Sequence, residues 1–189
     1  VSTIESVVAA RGRQMELLQA ALHSHRVAEV VDLFRRYPAS RLSRFTVCLD
    51  GRRVPLNSEE RSSKAGQFPY WGAGSIVDYI DEYIFDETLV LLGEDGAPFF
   101  DPTRDVSFVV REPVWVNNHI HVLRPNPAVN ADFLACVLNA TDFSSYITGS
   151  TRDKLTQEQM NAIRVPVAPR DEQERLASSA REMARALSD

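Results

Sequence analysis

Cysteine is scarce in this 189-residue sequence: Cys48 and Cys136 stand far apart, without the spacing of metal ligands. That argues against a disulfide scaffold or a cysteine zinc site and reads as two small apolar thiols in a reducing, cytoplasmic setting. No stretch approaches the ~18 consecutive apolar residues of a membrane helix. The opening Val1-Ser2-Thr3-Ile4-Glu5 lacks the basic and apolar regions of a secretory leader. Signatures of catalysis are missing too. There is no Asx-Pro-Pro-aromatic motif and no glycine-rich cofactor loop after a first strand, as an adenine methyltransferase would carry. There is no Gly-x-x-x-x-Gly-Lys-Ser/Thr phosphate loop of a motor and no Gly-x-Ser-x-Gly nucleophile elbow. The expectation is a protein that is not an enzyme and uses no cofactor. No internal repeat or low-complexity stretch points to a solenoid or a disordered chain.

Basic charge is in overall deficit, with a formal net charge of −5, which by itself argues against nucleic-acid binding. The distribution is uneven. Residues 35–64 carry eight basic side chains against three acidic ones, whereas residues 76–105 carry nine acidic ones against Arg104 alone. Such asymmetry is expected of a DNA-facing side and an acidic side that avoids DNA or meets a protein; chance clustering on a solvated surface is the plain alternative.

The apolar fraction of 44% supports a packed core. Ser2 and Glu5 have the spacing of a capping box. Ile4, Val7, Val8, Met15, Leu18, Ala21 and Leu22 then recur at helical spacing, and a helical pattern resumes over Ala28–Arg36 and stops before Pro38. From Leu42 to about Val167 short apolar runs alternate with turn signals. Phe45–Leu49, Ile76–Tyr79, Leu89–Leu92, Val106–Val110, His119–Leu123 and Arg164–Val167 read as strands. Residues 57–66 read as loop or short helix, and Phe68–Ser75 as a tight aromatic loop. Gly93-Glu94-Asp95-Gly96 reads as a turn. Ala131–Thr141 and Thr156–Ala162 read as helices, the second capped by Thr156 with Gln159 three residues on. Past Pro169, Leu176, Ala180, Met183, Ala184 and Leu187 form a last apolar helical stripe. The expected fold class is α/β (α+β): a mixed small-sheet body, residues 38–168, between an N-terminal helical segment, 1–37, and a C-terminal helix, 169–189. The two terminal helices either pair as an antiparallel coiled coil or simply cover the sheet.

Three blocks, in order, carry a resemblance. The first is Arg52-Arg53-Val54-Pro55-Leu56 followed by Phe68-Pro69-Tyr70-Trp71-Gly72-Ala73-Gly74-Ser75-Ile76-Val77-Asp78-Tyr79. The second is Leu91-Leu92-Gly93-Glu94-Asp95-Gly96 with Val114-Trp115-Val116-Asn117-Asn118-His119-Ile120-His121. The third is Ile147-Thr148-Gly149-Ser150-Thr151-Arg152-Asp153-Lys154-Leu155 with Pro169-Arg170-Asp171-Glu172-Gln173. Together they resemble the target-recognition domain of type I restriction–modification specificity subunits, over roughly Val27 to Gln173. The resemblance implies a subunit without chemistry of its own. It would read double-stranded DNA, dock an adenine DNA methyltransferase subunit through helical spacers and be joined by a restriction translocase–nuclease subunit. Family members usually carry two recognition domains, and this sequence has one. It therefore corresponds to a half-length subunit that forms a homodimer, or to a fragment or paralogue. A homodimer would read an interrupted palindrome. The alternative is a scaffold or decoy that binds the methyltransferase and not DNA.

Candidate DNA contacts follow from composition and position. Thr148, Ser150, Thr151, Arg152 and Lys154 flank Gly149 in a polar loop suited to phosphates. Arg52, Arg53, Arg61 and Lys64 form the basic stretch. Tyr70, Trp71 and Ser75 sit beside Gly72 and Gly74, where they either approach a ligand or, in the case of the aromatic pair, pack into the core. Arg104 and Arg111 are weaker candidates. His119-x-His121 could suit zinc on a strand, but with no Cys, His or paired carboxylate near it in sequence the favoured role is hydrogen bonding within the domain. Glu94-Asp95 could hold magnesium in a nuclease, yet no acidic-x-Lys partner follows, and a turn is preferred.

Overall fold

A computed structural model describes residues 3–147 and 153–188. The α/β (α+β) class expected from the sequence is what the chain adopts. Helix α1, Thr3–Arg36, is continuous. The two helical patterns at either end of it thus belong to one element, and Gly12 is accommodated in its exposed half. The expected Ser2 cap lies outside the described residues. The chain continues through β1 (Ala39–Arg41), β2 (Thr46–Cys48), α2 (Ser58–Ser63), β3 (Ala65–Trp71), β4 (Ile76–Ile80), β5 (Leu89–Gly93), β6 (Ser107–Val110), β7 (Trp115–Val116) and β8 (Ile120–Pro125). It ends through α3 (Ala131–Asn139), α4 (Gln157–Ala162), β9 (Arg164–Pro166) and α5 (Arg170–Ser188).

A four-stranded antiparallel sheet, β2-β8-β5-β6, forms the centre. Its middle strand explains its own sequence. Successive side chains of a strand point to opposite faces. On β5, Val90 and Leu92 join the core under α3, while Leu89 and Leu91 join a second core on the other face. Both faces are covered, so Leu89–Gly93 is an unbroken apolar run rather than an alternating one. The second face is closed by a three-stranded sheet, β4-β3-β7, in which β3 pairs antiparallel with β4 and parallel with β7. The stretch Phe68–Trp71, read from sequence as part of an aromatic loop, is therefore strand. Tyr70 and Trp71 belong to different apolar clusters, and only Gly72–Ser75 forms the turn, closed by the Gly72 N–H donating to the Ser75 carbonyl.

A short ribbon, β1-β9, joins the two ends of the body, after which α5 packs on α1. Glu29 meets Arg175 at 2.7 Å and Arg36 meets Glu172 at 2.5 Å. Residue numbers rise on one helix as they fall on the other, so the pair is antiparallel. Val30 and Leu33 of α1 and Leu176 and Ala177 of α5 are buried in the main core. The side chains of Ala184 and Leu187, expected in the same stripe, lie outside those described. Gln173 locks the junction: its amide donates to the carbonyls of Ala128 and Ala168 and accepts from Asn130 N–H, the N-cap of α3.

Candidate nucleic-acid interface

Three connections meet at one end of the body. The β5 end turns at Gly93–Gly96, where Gly96 has φ 70°, a conformation that strongly favours glycine. A side chain at Gly93 would collide with Ala97 and crowd the Ala73 carbonyl of the β3–β4 turn. The segment 153–155 is laced to the same turn by Gly96 N–H to the Asp153 carbonyl and Leu155 N–H to the Glu94 carbonyl. The β7–β8 turn joins through the His119 carbonyl, which accepts from Glu94 N–H, and through His119 Nδ1, 3.3 Å from the Asp95 carboxylate.

Beneath these loops lies a buried charged network. His121, 1% exposed, places Nδ1 2.6 Å from Asp50 Oδ2 and Nε2 2.9 Å from the Leu155 carbonyl. A carbonyl only accepts, so Nε2 carries a proton; a second proton lies between Nδ1 and Asp50. Arg53 binds Glu94 at 2.5 Å, stands 3.5 Å from Asp50 and donates to the Ile120 carbonyl. Burial alone would push the Asp50 carboxyl up. The His121 hydrogen bond and charge, the Val122 N–H and Arg53 together bring it below the ordinary carboxylate range. Donor atoms of Asp50, Glu94 and His121 lie within 4.8 Å of one another, a spacing a metal could use. The Arg53 guanidinium already supplies positive charge to both carboxylates there.

The predicted contacts divide. Thr148, Ser150, Thr151 and Arg152 lie outside the described residues. Lys154 is half-exposed, 3.7 Å from Glu94, and Ser75 is exposed on the β3–β4 turn. Both belong to the end where the connections meet. Tyr70 is buried and hydrogen-bonds Leu56 through its hydroxyl; Trp71 is buried against Phe108. Arg53 is consumed by the network. Arg52 is half-exposed, lying over the Phe85 ring and 3.6 Å from Glu87; Arg61 pairs with Asp78 at 3.0 Å, and Lys64 with Glu82 at 2.7 Å. The basic stretch and the acidic stretch are therefore not opposite faces of the molecule. The β3–β4 pair and the central sheet bring them together, and each of these four cations meets a carboxylate from residues 76–105. Of the weaker candidates, Arg111 holds Asp132 at 2.7 Å, and Arg104 is exposed.

Sequence reasoning missed a groove of about 560 Å³ beside this end, in which Asn57, Glu60, Arg61, Asn117, Asn118 and His119 join the apolar Pro55 and Leu56 over a floor that includes Tyr70. The signal was present in the Asn117-Asn118 doublet next to a short strand, but Asn57 and Glu60 lie about sixty residues away in sequence and meet the doublet through the β3–β7 pairing and the Trp115 indole N–H on the Val54 carbonyl.

The described residues thus form a mixed α/β body with polar loops at one end and an antiparallel helix pair. The family described as the type I restriction modification DNA specificity domain matches residues 45–179, and the chain belongs to it. A curated Haemophilus influenzae protein, named as a type I restriction enzyme specificity subunit, is 32% identical over 121 residues, covering 64% of this chain and 30% of that protein. Among solved structures, the type I restriction–modification S subunit from M. genitalium aligns with a TM-score of 0.67 at 16% identity, over 97% of this chain and 53% of that one. The HsdS subunit from Thermoanaerobacter tengcongensis aligns with a TM-score of 0.56 at 13% identity, over 97% and 49%. The chain thus spans about half the length of these structures and under a third of the curated relative.

Proposed function

We propose that the chain reads a short double-stranded DNA sequence and presents it to an adenine methyltransferase subunit, without catalysing a reaction itself. The observation that carries this reading is the family match across residues 45–179, the span of the sheets and loops described above. Exposed Ser75, Lys154 and the neighbouring groove supply hydrogen-bonding groups at one end, the chemistry that phosphates and base edges require. The proposed organisation is a helical spacer over residues 1–37, a recognition domain over 38–168 and a second spacer from 169. The half-exposed Val7, Val8, Met15 and Leu18 of α1 are available to a further helix, from a second copy or from the methyltransferase. A restriction translocase–nuclease subunit would join such an assembly.

DNA binding by the chain, alone and with the methyltransferase encoded beside it, measured across salt concentrations, tests this reading. Affinity should fall as salt rises, each phosphate contact contributing roughly −0.9 to the slope of log K against log salt. Arg52, Lys64 and Lys154 are the described predicted cations with substantial exposure, each also facing a carboxylate, so their share of that slope is at most roughly −3. Absence of DNA binding at every salt concentration, with the methyltransferase still bound, would replace this reading with a scaffold.

A further inference from the structure

The groove at residues 55–61 and 117–119 has a chemical bias set by the hydrogen bonds that build it. Asn57 Oδ1 accepts from the N–H groups of Glu59 and Glu60, capping α2. Asn117 Oδ1 accepts from His119 N–H at 2.8 Å, closing the β7–β8 turn. Backbone N–H groups only donate, so both amide oxygens are turned inward and both side chains offer the groove an NH₂ group. Arg61 spends Nε on Asp78 and Nη1 on the Leu56 carbonyl, with its guanidinium over the Tyr70 ring, and keeps Nη2. Glu60 accepts Asn57 N–H through Oε2 and keeps Oε1. One end of each side chain is fixed, so the other end is held in place before any ligand arrives.

Several fixed donors beside one fixed acceptor match a particular edge. In the major groove guanine offers two adjacent acceptors, N7 and O6, and its cytosine offers an N4 amino donor. A phosphate has acceptors alone, and the Glu60 carboxylate in this groove opposes it. An adenine read by asparagine needs the amide oxygen as well as the nitrogen; here the Asn57 oxygen already takes two backbone N–H groups and the Asn117 oxygen is turned to the His119 N–H. We infer that this groove is a base-reading subsite for a G·C pair: Asn57, Asn117 and Arg61 donate to guanine N7 and O6, and Glu60 accepts from the cytosine amino group. The inference rests on the DNA-reading function proposed above and names a specificity determinant within it. The groove adjoins the predicted contact loops through His119, which lines it and faces Asp95 of the turn that holds Lys154.

Asn57→Asp and Asn117→Asp provide a sharp test. Each keeps the inward oxygen, and aspartate is as good an N-cap as asparagine, so the fold is retained while a donor in the groove becomes an acceptor. The full chain, with its methyltransferase, is used to select from a randomised DNA pool, and thermal melts of both variants accompany the selection. The expected result is a site containing a G·C pair whose discrimination falls from about fivefold to a hundredfold towards unity in both variants, with preferences elsewhere retained. Glu60→Gln should weaken the same position. If the wild-type chain selects a site and both folded variants select it unchanged, the groove assignment is overturned while DNA reading stands. Uniform weakening across sequences with a shallower salt slope would identify a phosphate contact and overturn base reading by this groove. No selection by the wild-type chain would overturn the underlying function.

Discussion

Replacing His121 with alanine should destabilise the fold by about 3–5 kcal/mol, the range for removing one partner of a buried ion pair. Two losses make up that figure. The Leu155 carbonyl loses its donor from Nε2, at about 1–3 kcal/mol for a buried group left unsatisfied. Asp50 loses its 2.6 Å partner and keeps the Val122 N–H and a more distant Arg53. A hydrogen bond to a charged group is worth about 1.5–3 kcal/mol. For a chain of this size each kcal/mol lowers the melting temperature by about 2–4 °C, so a drop of roughly 10 °C is expected. Urea unfolding at neutral pH measures the loss directly, and a loss below about 1 kcal/mol would refute the reasoning by showing that the ring is not the keystone of the buried network.

The same substitution carries a pH signature. The Asp50 carboxyl is held below its ordinary value in the folded state. Its contribution to stability is therefore complete above the unfolded pKa, near 4, and disappears as pH falls through the lower folded value. With His121 removed, the folded and unfolded values move closer together. The acid limb of the stability profile, below about pH 4, should then be shallower than in the wild-type chain.

Other substitutions separate the fold from the assembly. Gln173→Ala removes three hydrogen bonds, two that tie α5 to the segment starting α3 and one to the Ala168 carbonyl just before α5; a loss of about 2–4 kcal/mol in chemical denaturation is expected. Gly96→Ala places a side chain at φ 70° and should cost about 1–2 kcal/mol, visible as a lower melting temperature. Leu176, 1% exposed, is core, so Leu176→Asp should unfold the chain; Leu18, 43% exposed, is not, and Leu18→Asp should leave the melt unchanged. Sedimentation of the Leu18 variant, alone and with the methyltransferase, then reports whether α1 serves assembly.

Much of this architecture is legible in local patterns. The apolar run of β5, the Thr156–Gln159 capping box and the stripe of α5 each state their structure within a few residues, because the interactions that fix them are local or periodic. Phe68–Trp71 misleads for a definite reason. Its aromatic residues, with a proline among them and glycines just beyond, have a loop-like composition, but Tyr70 and Trp71 enter two different cores that exist only once the second sheet folds over the first. The same limit applies to the groove and to the His121 network. Asp50, Glu94 and His121 are separated by tens of residues, and the pairing of β8 with β5 on one side and with β2 on the other brings them together.

Charge shows most clearly how sequence proximity differs from spatial proximity. A basic stretch followed by an acidic stretch suggests two faces of opposite sign, yet β-pairing converts sequence separation into contact: Arg52, Arg53, Arg61 and Lys64 each meet a carboxylate from the acidic stretch. Cations held in this way are already partly neutralised, so they offer DNA less than their number implies, and each phosphate contact from them must compete with a carboxylate. On the proposed DNA-reading function, a chain with a net charge of −5 would draw more of its discrimination from short-range hydrogen bonds than from a long-range positive field, which salt screens. The fixed donors and acceptor of the groove are groups of that kind. Their ion-paired surroundings have a second consequence: a surface weakly attractive to phosphate binds random sequences poorly, which widens the gap between a correct site and the bulk of the genome.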